Sequence, residues 1–330
     1  MSLASYDVVA NWFDVCTDAE MLCSVLRFCD TLQGRYWHSV PKQLPQLGQR
    51  AQEAARALHD LWYHGSVMVS NTVEIVAGCG AVTSGETVSV TPWLTRVGRT
   101  SWGISFSLSA SGGVVARVAT VMVNTDPDDL EKASPIPLHL VELMRTLIKD
   151  NKLLAAQDGL RGPPEMAALN DKPEPGAGGL YAWRSTVRKT DCDSLGHVNN
   201  AKYALLAEEA RALACRDGGY KLSPLDCSGG DDDAATAAAT AERQAALISA
   251  PARLFYCHYS GQPHPYDELR IETWLSSTKM TPEGTANGEE EVGAGVTLGF
   301  VAYVKDDIVA TMVMRSCTTL LPPLASACKI

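Results

Sequence analysis

The sequence is short of the features that nucleic-acid and membrane partners require. Its 28 Lys and Arg residues face 38 Asp and Glu, a net charge of −10. Phosphate backbones and anionic lipid surfaces recruit net positive faces, so both are excluded as expected partners. No apolar run approaches the ~18 residues of a membrane-spanning helix. No N-x-Ser/Thr glycosylation acceptor occurs, and the first twenty residues hold no Lys or Arg, which a secretory or transit peptide needs. None of the ten cysteines, at positions 16, 23, 29, 79, 192, 215, 227, 257, 317 and 328, belongs to a C-x-x-C pair. They read as reduced, buried thiols of a cytoplasmic protein rather than a disulfide framework. The tripeptide Cys328-Lys329-Ile330 has the small–basic–aliphatic pattern of a relaxed peroxisomal address, leaving a peroxisome-like organelle as the alternative.

What is present fits about two domains, since 330 residues are shared at roughly 150 per domain. The chain also reads as one pattern written twice. In the second half, a strand at Leu180–Lys189 is followed by the polar turn Thr190–Gly196. A helix comes next, from about Asn199 to Cys215, with Tyr203, Leu206, Ala207, Ala210, Leu213 and Ala214 on one stripe. Strands follow at Arg253–Tyr259, Glu268–Ser276, Ala294–Lys305 and Asp307–Leu320, rich in β-branched and aromatic residues.

In the first half, Gly34–Val40 resembles Gly179–Val187. A helical stripe of Leu47, Ala51, Ala54, Leu58, Leu61 and Trp62 follows, then strands at Ser66–Ala77, Glu86–Arg96, Ser101–Ala110 and Val114–Asn124. Trp93-Leu94-Thr95 mirrors Trp274-Leu275-Ser276, Val114-Val115-Ala116 mirrors Ile308-Val309-Ala310, and Phe106 falls opposite Phe300. The Trp274–Ile308 interval is the longer one, and the polar stretch 280–293 accounts for the excess as a loop-tip insertion.

These signals divide the chain into an N-terminal extension (1–33), a first repeat (34–150), a linker (151–178) and a second repeat (179–330). The second repeat carries insertions near 222–250 and 280–293. Pro135 and Pro137 mark the end of the first sheet and start a short helix with Val141, Met144 and Leu147. Gly162-Pro163-Pro164 and Pro173-Glu174-Pro175 make the linker loose in composition. Residues 225–250 read either as a surface helix capped by Asp231-Asp232-Asp233 or as disordered.

The string with chemical content is Asp191-Cys192-Asp193-Ser194-Leu195-Gly196-His197-Val198-Asn199-Asn200-Ala201-Lys202-Tyr203. It sits between a strand and a helix start, where backbone N–H groups collect and the helix carries about half a positive charge, suited to a developing oxyanion. Gly196 permits a tight turn, and Asn199 or Asn200 can cap the helix. Asp193 and His197 bring a carboxylate and an imidazole to one opening, where one can act on water or attack and the other can orient it.

The string resembles the active-site segment of hotdog-fold thioesterases, D-x-D-x-x-G-H-V-N-N-x-x-Y, in the branch shared with acyl-carrier-protein thioesterases. The likeness is strongest over 180–215, extends over 252–322 through strand order, and covers the first half by architecture alone. It implies an α+β fold, a tandem (double) hotdog, each unit a long helix wrapped by an antiparallel β-sheet. In that family two units pair and acyl-thioester sites form at the joint, so the resemblance implies a pseudo-dimer within the chain, with a homo-oligomer left open. By the motif, Asp193 matches the catalytic carboxylate and His197 the histidine of the plant-type enzymes. Gly196 and Val198 fall where helix-start amides polarise the thioester carbonyl, and Asn199, Asn200 and Tyr203 complete the substrate-binding residues. The plant-type pattern has Asn where this chain has Leu195, so the Asp-centred scheme of bacterial acyl-CoA thioesterases carries over more simply. The expected substrate is acyl-CoA or acyl carrier protein, with no cofactor beyond the CoA or phosphopantetheine of the substrate itself. The first repeat has Pro41-Lys42-Gln43-Leu44-Pro45-Gln46 in the corresponding place, without an acid, so one working site per chain is expected.

Other clusters read more simply. Glu208-Glu209 with Arg211 suits an exposed charged face, and Ser109–Gly113 a hairpin turn rather than a phosphate loop. His59, His64, Cys257 and His258 lack zinc-like spacing, so no metal is expected. Trp93 and Trp274 read as core. Arg188 and Lys189 suit either CoA phosphates or a solvated strand end. Two other functions compete: an acyl- or acyl-CoA-binding hotdog without turnover, and a hotdog hydratase or dehydratase.

Overall fold

The computed structural model describes residues 6–9, 25, 56, 59–61, 65–76, 86–111, 113–150, 167–176, 178–193, 196–220, 242, 245–250, 252–276, 283–284, 290–291 and 295–317. The expectations for Gly34–Val40, for most of the first helical stripe, for 225–241 and for Cys328-Lys329-Ile330 lie outside these residues. Two units divide the chain, Met1–Gly162 and Pro163–Ile330.

The first unit contains β1 (Tyr6–Val9), β2 (Ser66–Ile75), β3 (Thr87–Val97), β4 (Ser101–Ala110), β5 (Gly113–Asp126), β6 (Asp129–Ala133) and helix α1 (Leu138–Asp150). Its strands run antiparallel in the order β1-β3-β4-β5-β2, with β6 folding back on β5. Ser109 and Ala110 pair with Val114 and Gly113, so the Gly-rich segment is the β4–β5 hairpin. Helix α1 packs on β3 and buries Leu140, Val141 and Met144. Residues 1–33 read in sequence as standing outside the repeat; β1 corrects this, because Tyr6–Val9 form the edge strand against β3. Four residues with Asp7 among them are too short an apolar run to declare a strand without their partner.

The second unit contains α2 (Ala167–Asn170), β7 (Leu180–Thr186), α3 (Asn200–Arg216), β8 (Ala252–Tyr259), β9 (Glu268–Leu275), the short pair β10 (Glu283–Gly284) and β11 (Glu290–Glu291), β12 (Gly295–Val304) and β13 (Asp307–Cys317). Its main sheet is antiparallel with the order β7-β9-β12-β13-β8. This is the first unit's order, element for element. The registers also agree. Phe106 lies opposite Pro92 and Val118, and Phe300 opposite Thr273 and Met312; each pair is followed on the preceding strand by a buried tryptophan, Trp93 or Trp274.

Helix α3 starts where Asn199 accepts the N–H of Ala201 (2.8 Å) and ends before Gly218, whose φ of 65° suits glycine. Its buried face is largely alanine: Ala201, Ala204, Ala207, Ala210 and Ala214 have no exposed surface. Such small side chains let the helix lie close to β7, β8 and β9. Beneath it, Thr273 of β9 meets the buried Tyr220 hydroxyl at 3.1 Å.

The alternate residues of β9, and Ser276 just past its end, carry a different load. Trp274 donates to Ala168 O (3.0 Å), Ser276 to Asp171 (2.7 Å), and Glu272 pairs with Lys172 (2.6 Å). Burial opposes the Lys172 charge, but Glu272 and Tyr303 outweigh it and hold its pKa above the ordinary lysine value. The end of the linker, loose in composition, is therefore strapped across the second sheet.

Two further expectations change. The face holding Glu208 and Arg211 is buried, at 4% and 8% exposure, while Glu209 alone is exposed. Arg211 pairs with Glu208 (2.6 Å) and donates to Ile248 O (2.9 Å), Ala250 O (2.6 Å) and Ser316 (3.1 Å). The helical segment 245–249 covers this face. Among the cysteines whose side chains are described, Cys257 is buried, Cys192 half-buried and Cys215 exposed; none is in a disulfide. Among the described residues, no helix is long and apolar enough to cross a membrane.

Candidate active site

The loop from β7 to α3 is closed by bonds that its own sequence supplies. Asp191 is the tie: its carboxylate accepts from Arg188 N (3.0 Å) and pairs with Lys202 on α3 (3.2 Å), and its carbonyl accepts from Asn199 N (2.9 Å). Cys192 and Val198 then face each other as an isolated antiparallel bridge, leaving 193–197 as the tip. Within the tip, Asp193 N donates to His197 O (2.8 Å) and Gly196 N to Asp193 O (3.1 Å). His197 N donates to the Asp193 carboxylate (3.2 Å). Gly196 has φ 81°, a conformation that only glycine adopts cheaply, and a Cβ there would meet nothing within 4 Å. It is needed for backbone shape, not for space.

The site therefore brings Asp193 and His197 together. The Asp193 side chain is exposed and the His197 ring half-buried. Burial lowers the His197 pKa below the ordinary 6.5; Asp193 works against this, and His264 adds to it. The ring is thus held neutral near pH 7, able to donate from one nitrogen and accept at the other. Burial, and then Asp191 and Asp193, push the Cys192 thiol up, so Cys192 is not poised as a thiolate nucleophile.

Other sequence-predicted residues are placed differently. The amides of Gly196 and Val198 already have acceptors, Asp193 O and Pro263 O (3.2 Å). This corrects the expectation that they stand open for an oxyanion. Asn199 caps α3, and the Asn200 carbonyl accepts from the Tyr259 hydroxyl (3.3 Å). Tyr203 is 2% exposed and packs edge-on against Tyr259 with ring centroids 5.2 Å apart; it seats the helix on β8 and offers no surface to a ligand. Ser194 and Leu195 lie outside the described residues. Arg188 and Lys189 are exposed at the loop entry. Among the described residues, no three His, Cys, Asp or Glu side chains cluster as metal ligands would.

One residue at the site escapes the sequence reading. His264, in the β8–β9 loop, faces His197 with ring centroids 5.2 Å apart and planes at 63°. The signal was Pro263-His264-Pro265, an imidazole fixed between two prolines, but nothing local ties it to the 191–203 string.

The fold is shared with solved structures. The chain is similar to an acyl-ACP thioesterase from Bacteroides thetaiotaomicron, with a TM-score of 0.54 and 13% identity, over 95% of this chain and 99% of that one. It is similar also to the 12:0-ACP thioesterase from Umbellularia californica, with a TM-score of 0.55 and 14% identity, over 96% of this chain and 98% of that one. At these identities the likeness is one of fold. No protein-family model matches the chain, and no curated protein matches it by sequence.

Proposed function

We propose that the protein is an acyl-thioester hydrolase with one working site, built on Asp193 and His197 of the second unit, and that its two units are tandem hotdogs. The identical strand order and the matching Phe106 and Phe300 registers support the duplication. The observation that carries the activity is the joint placement of Asp193 and His197: an exposed carboxylate and a neutral imidazole on one closed turn. The fold shared with acyl-ACP thioesterases over nearly the whole chain gives that pair its context.

In this reading Asp193 takes a proton from water as the water oxygen adds to the thioester carbonyl carbon. The C–S bond breaks, and the proton passes from Asp193 to the departing thiolate, leaving a carboxylic acid and a free thiol. Attack by Asp193 itself, giving an anhydride that water then cleaves, uses the same group. The His197 ring N–H is the donor to the oxyanion, because the Gly196 and Val198 amides are engaged; one such donor is worth about 3 kcal/mol. The acyl group arrives on CoA or on an acyl carrier protein, and no further cofactor takes part.

The same engaged amides favour a second reading, an acyl-binding protein without turnover, which needs no oxyanion donor. Thiol release from short- to long-chain acyl-CoAs and acyl carrier protein separates the two. The hydrolase releases thiol and Asp193→Asn does not. An Asp193→Asn variant with the wild-type rate overturns the assignment, and acyl binding without thiol release establishes the second reading.

A further inference from the structure

We propose that His264 is a positioning residue for His197: its ring holds the His197 imidazole, at the tip of the β7–α3 loop, in the orientation that thioester hydrolysis uses. The proposal rests on the hydrolase reading above. Its basis is the edge-on ring contact, centroids 5.2 Å apart and planes at 63°, between two loops whose backbones are fixed by hydrogen bonds within and between them.

The fixing of His264 is extensive for an exposed residue. Ser260 N and Gly261 N both donate to Val309 O, at 3.0 and 3.1 Å, where the loop leaves β8. At the other end, Tyr266 N donates to Val187 O (2.8 Å) and Val187 N to Asp267 O (2.9 Å). Asp267 closes the turn, its carboxylate accepting from His264 N (2.8 Å) and its own N–H donating to His264 O (3.1 Å). Pro263 and Pro265 restrict the backbone on both sides. The bond from Val198 N to Pro263 O (3.2 Å) then joins this loop to the residue after His197. The fixed backbone places the His264 ring at the edge of the His197 ring, and that contact limits how far the second ring can turn.

The surrounding charges give the contact a second effect. Asp193, on the tip itself, favours the imidazolium form of His197, whereas His264 across the contact disfavours it. Asp191 is paired with Lys202, Cys192 stays a thiol, and the Asp267 carboxylate is held by the His264 amide. Burial is the main influence that offsets Asp193, and His264 adds to it.

Full-length Gln and Phe variants test this by two readouts: NMR titration of the His197 ring, and kcat/KM against pH with an acyl-CoA that wild type hydrolyses. In His264→Gln the His197 midpoint rises and the acid limb of kcat/KM moves to higher pH. The neutral-pH rate also falls about 10-fold, mostly in kcat, as expected for a loosened catalytic group. His264→Phe keeps a ring edge without a charge, so it regains most of the rate while the limb stays displaced. An unmoved His197 midpoint together with an unchanged rate in His264→Gln overturns the proposal. If wild type releases no thiol from any acyl thioester, the hydrolase reading falls and takes the catalytic role with it. A His197 midpoint that still moves in His264→Gln then shows that the ring contact itself stands.

Discussion

The carboxylate of Asp193 accepts the backbone N–H of His197 at 3.2 Å, so the acid proposed to act on water also helps to shape the turn that carries it. Its two roles separate by substitution. Asn in place of Asp193 keeps an acceptor oxygen but loses the base, whereas Ala loses both. Both variants are expected to lose at least ~100-fold in thioester hydrolysis, the usual scale for a general base. Amide exchange at His197 should quicken in Asp193→Ala alone. Equal exchange in the two variants would remove the structural role and leave the chemical one.

His197 sets a pH window whose sign follows from its surroundings. Burial is the largest influence and lowers its pKa below 6.5, so the folded protein disfavours the imidazolium. If the neutral ring is the active form, kcat/KM is level above pH 6.5 and declines only at more acidic pH. The same shift makes folding lose stability as pH falls through 6.5, where the unfolded chain takes up the proton first. A rate profile measured between pH 4.5 and 8 checks this; an acid limb above 6.5 contradicts it.

Much of this fold is legible in the sequence because its strands are long and bounded by clear turns. Ser101–Ala110 is read residue for residue, and the other long strands to within a few positions, since β-branched runs and Gly- or Asp-bearing turns mark them locally. The Trp93–Trp274 and Phe106–Phe300 correspondences survive as cross-strand register. What escapes depends on partners far along the chain. The α2 strap is held by Glu272, Trp274 and Ser276, about a hundred residues away, so its own Pro- and Gly-rich composition says only that it is a linker. The site divides in the same way. Asp193, Gly196 and His197 form a local turn and are readable as one, whereas Pro263 O, which occupies the Val198 amide, and the His264 ring come from another loop.

Loss of the buried Arg211 should cost substantial stability. It lies at 8% exposure against Glu208 at 4%, and also donates to the carbonyls of Ile248 and Ala250. Arg211→Met removes the counter-charge that Arg211 gives a buried carboxylate and the donor that it gives two carbonyls, a change expected to cost about 3–5 kcal/mol. Glu208→Leu added to it removes the buried carboxylate but does not restore the carbonyl bonds, so the double variant should recover only part. Urea denaturation of the three proteins measures both steps. Full recovery in the double variant would mean that the carbonyl bonds contribute little.

Gly299 on β12 faces Trp274 on β9, and a Cβ at Gly299 would lie 2.4 Å from the indole ring. No flexible chain end is available to yield, because Trp274 has no exposed surface and its Nε1 is bonded to Ala168 O at 3.0 Å. In the first unit the corresponding neighbour of Trp93 is Ser105, so a small side chain is accommodated there that the second sheet does not admit. The Trp274 indole, tied to Ala168, lies against the neighbouring strand, where glycine fits and a Cβ does not. Gly299→Ala should therefore cost about 1–3 kcal/mol through overpacking, and Gly299→Val more. Trp274→Phe frees the space and abandons the bond to Ala168, so combining it with Gly299→Ala should give a smaller total loss than the two single losses added together. Strictly additive losses in denaturant unfolding would show that the indole and the glycine are not coupled.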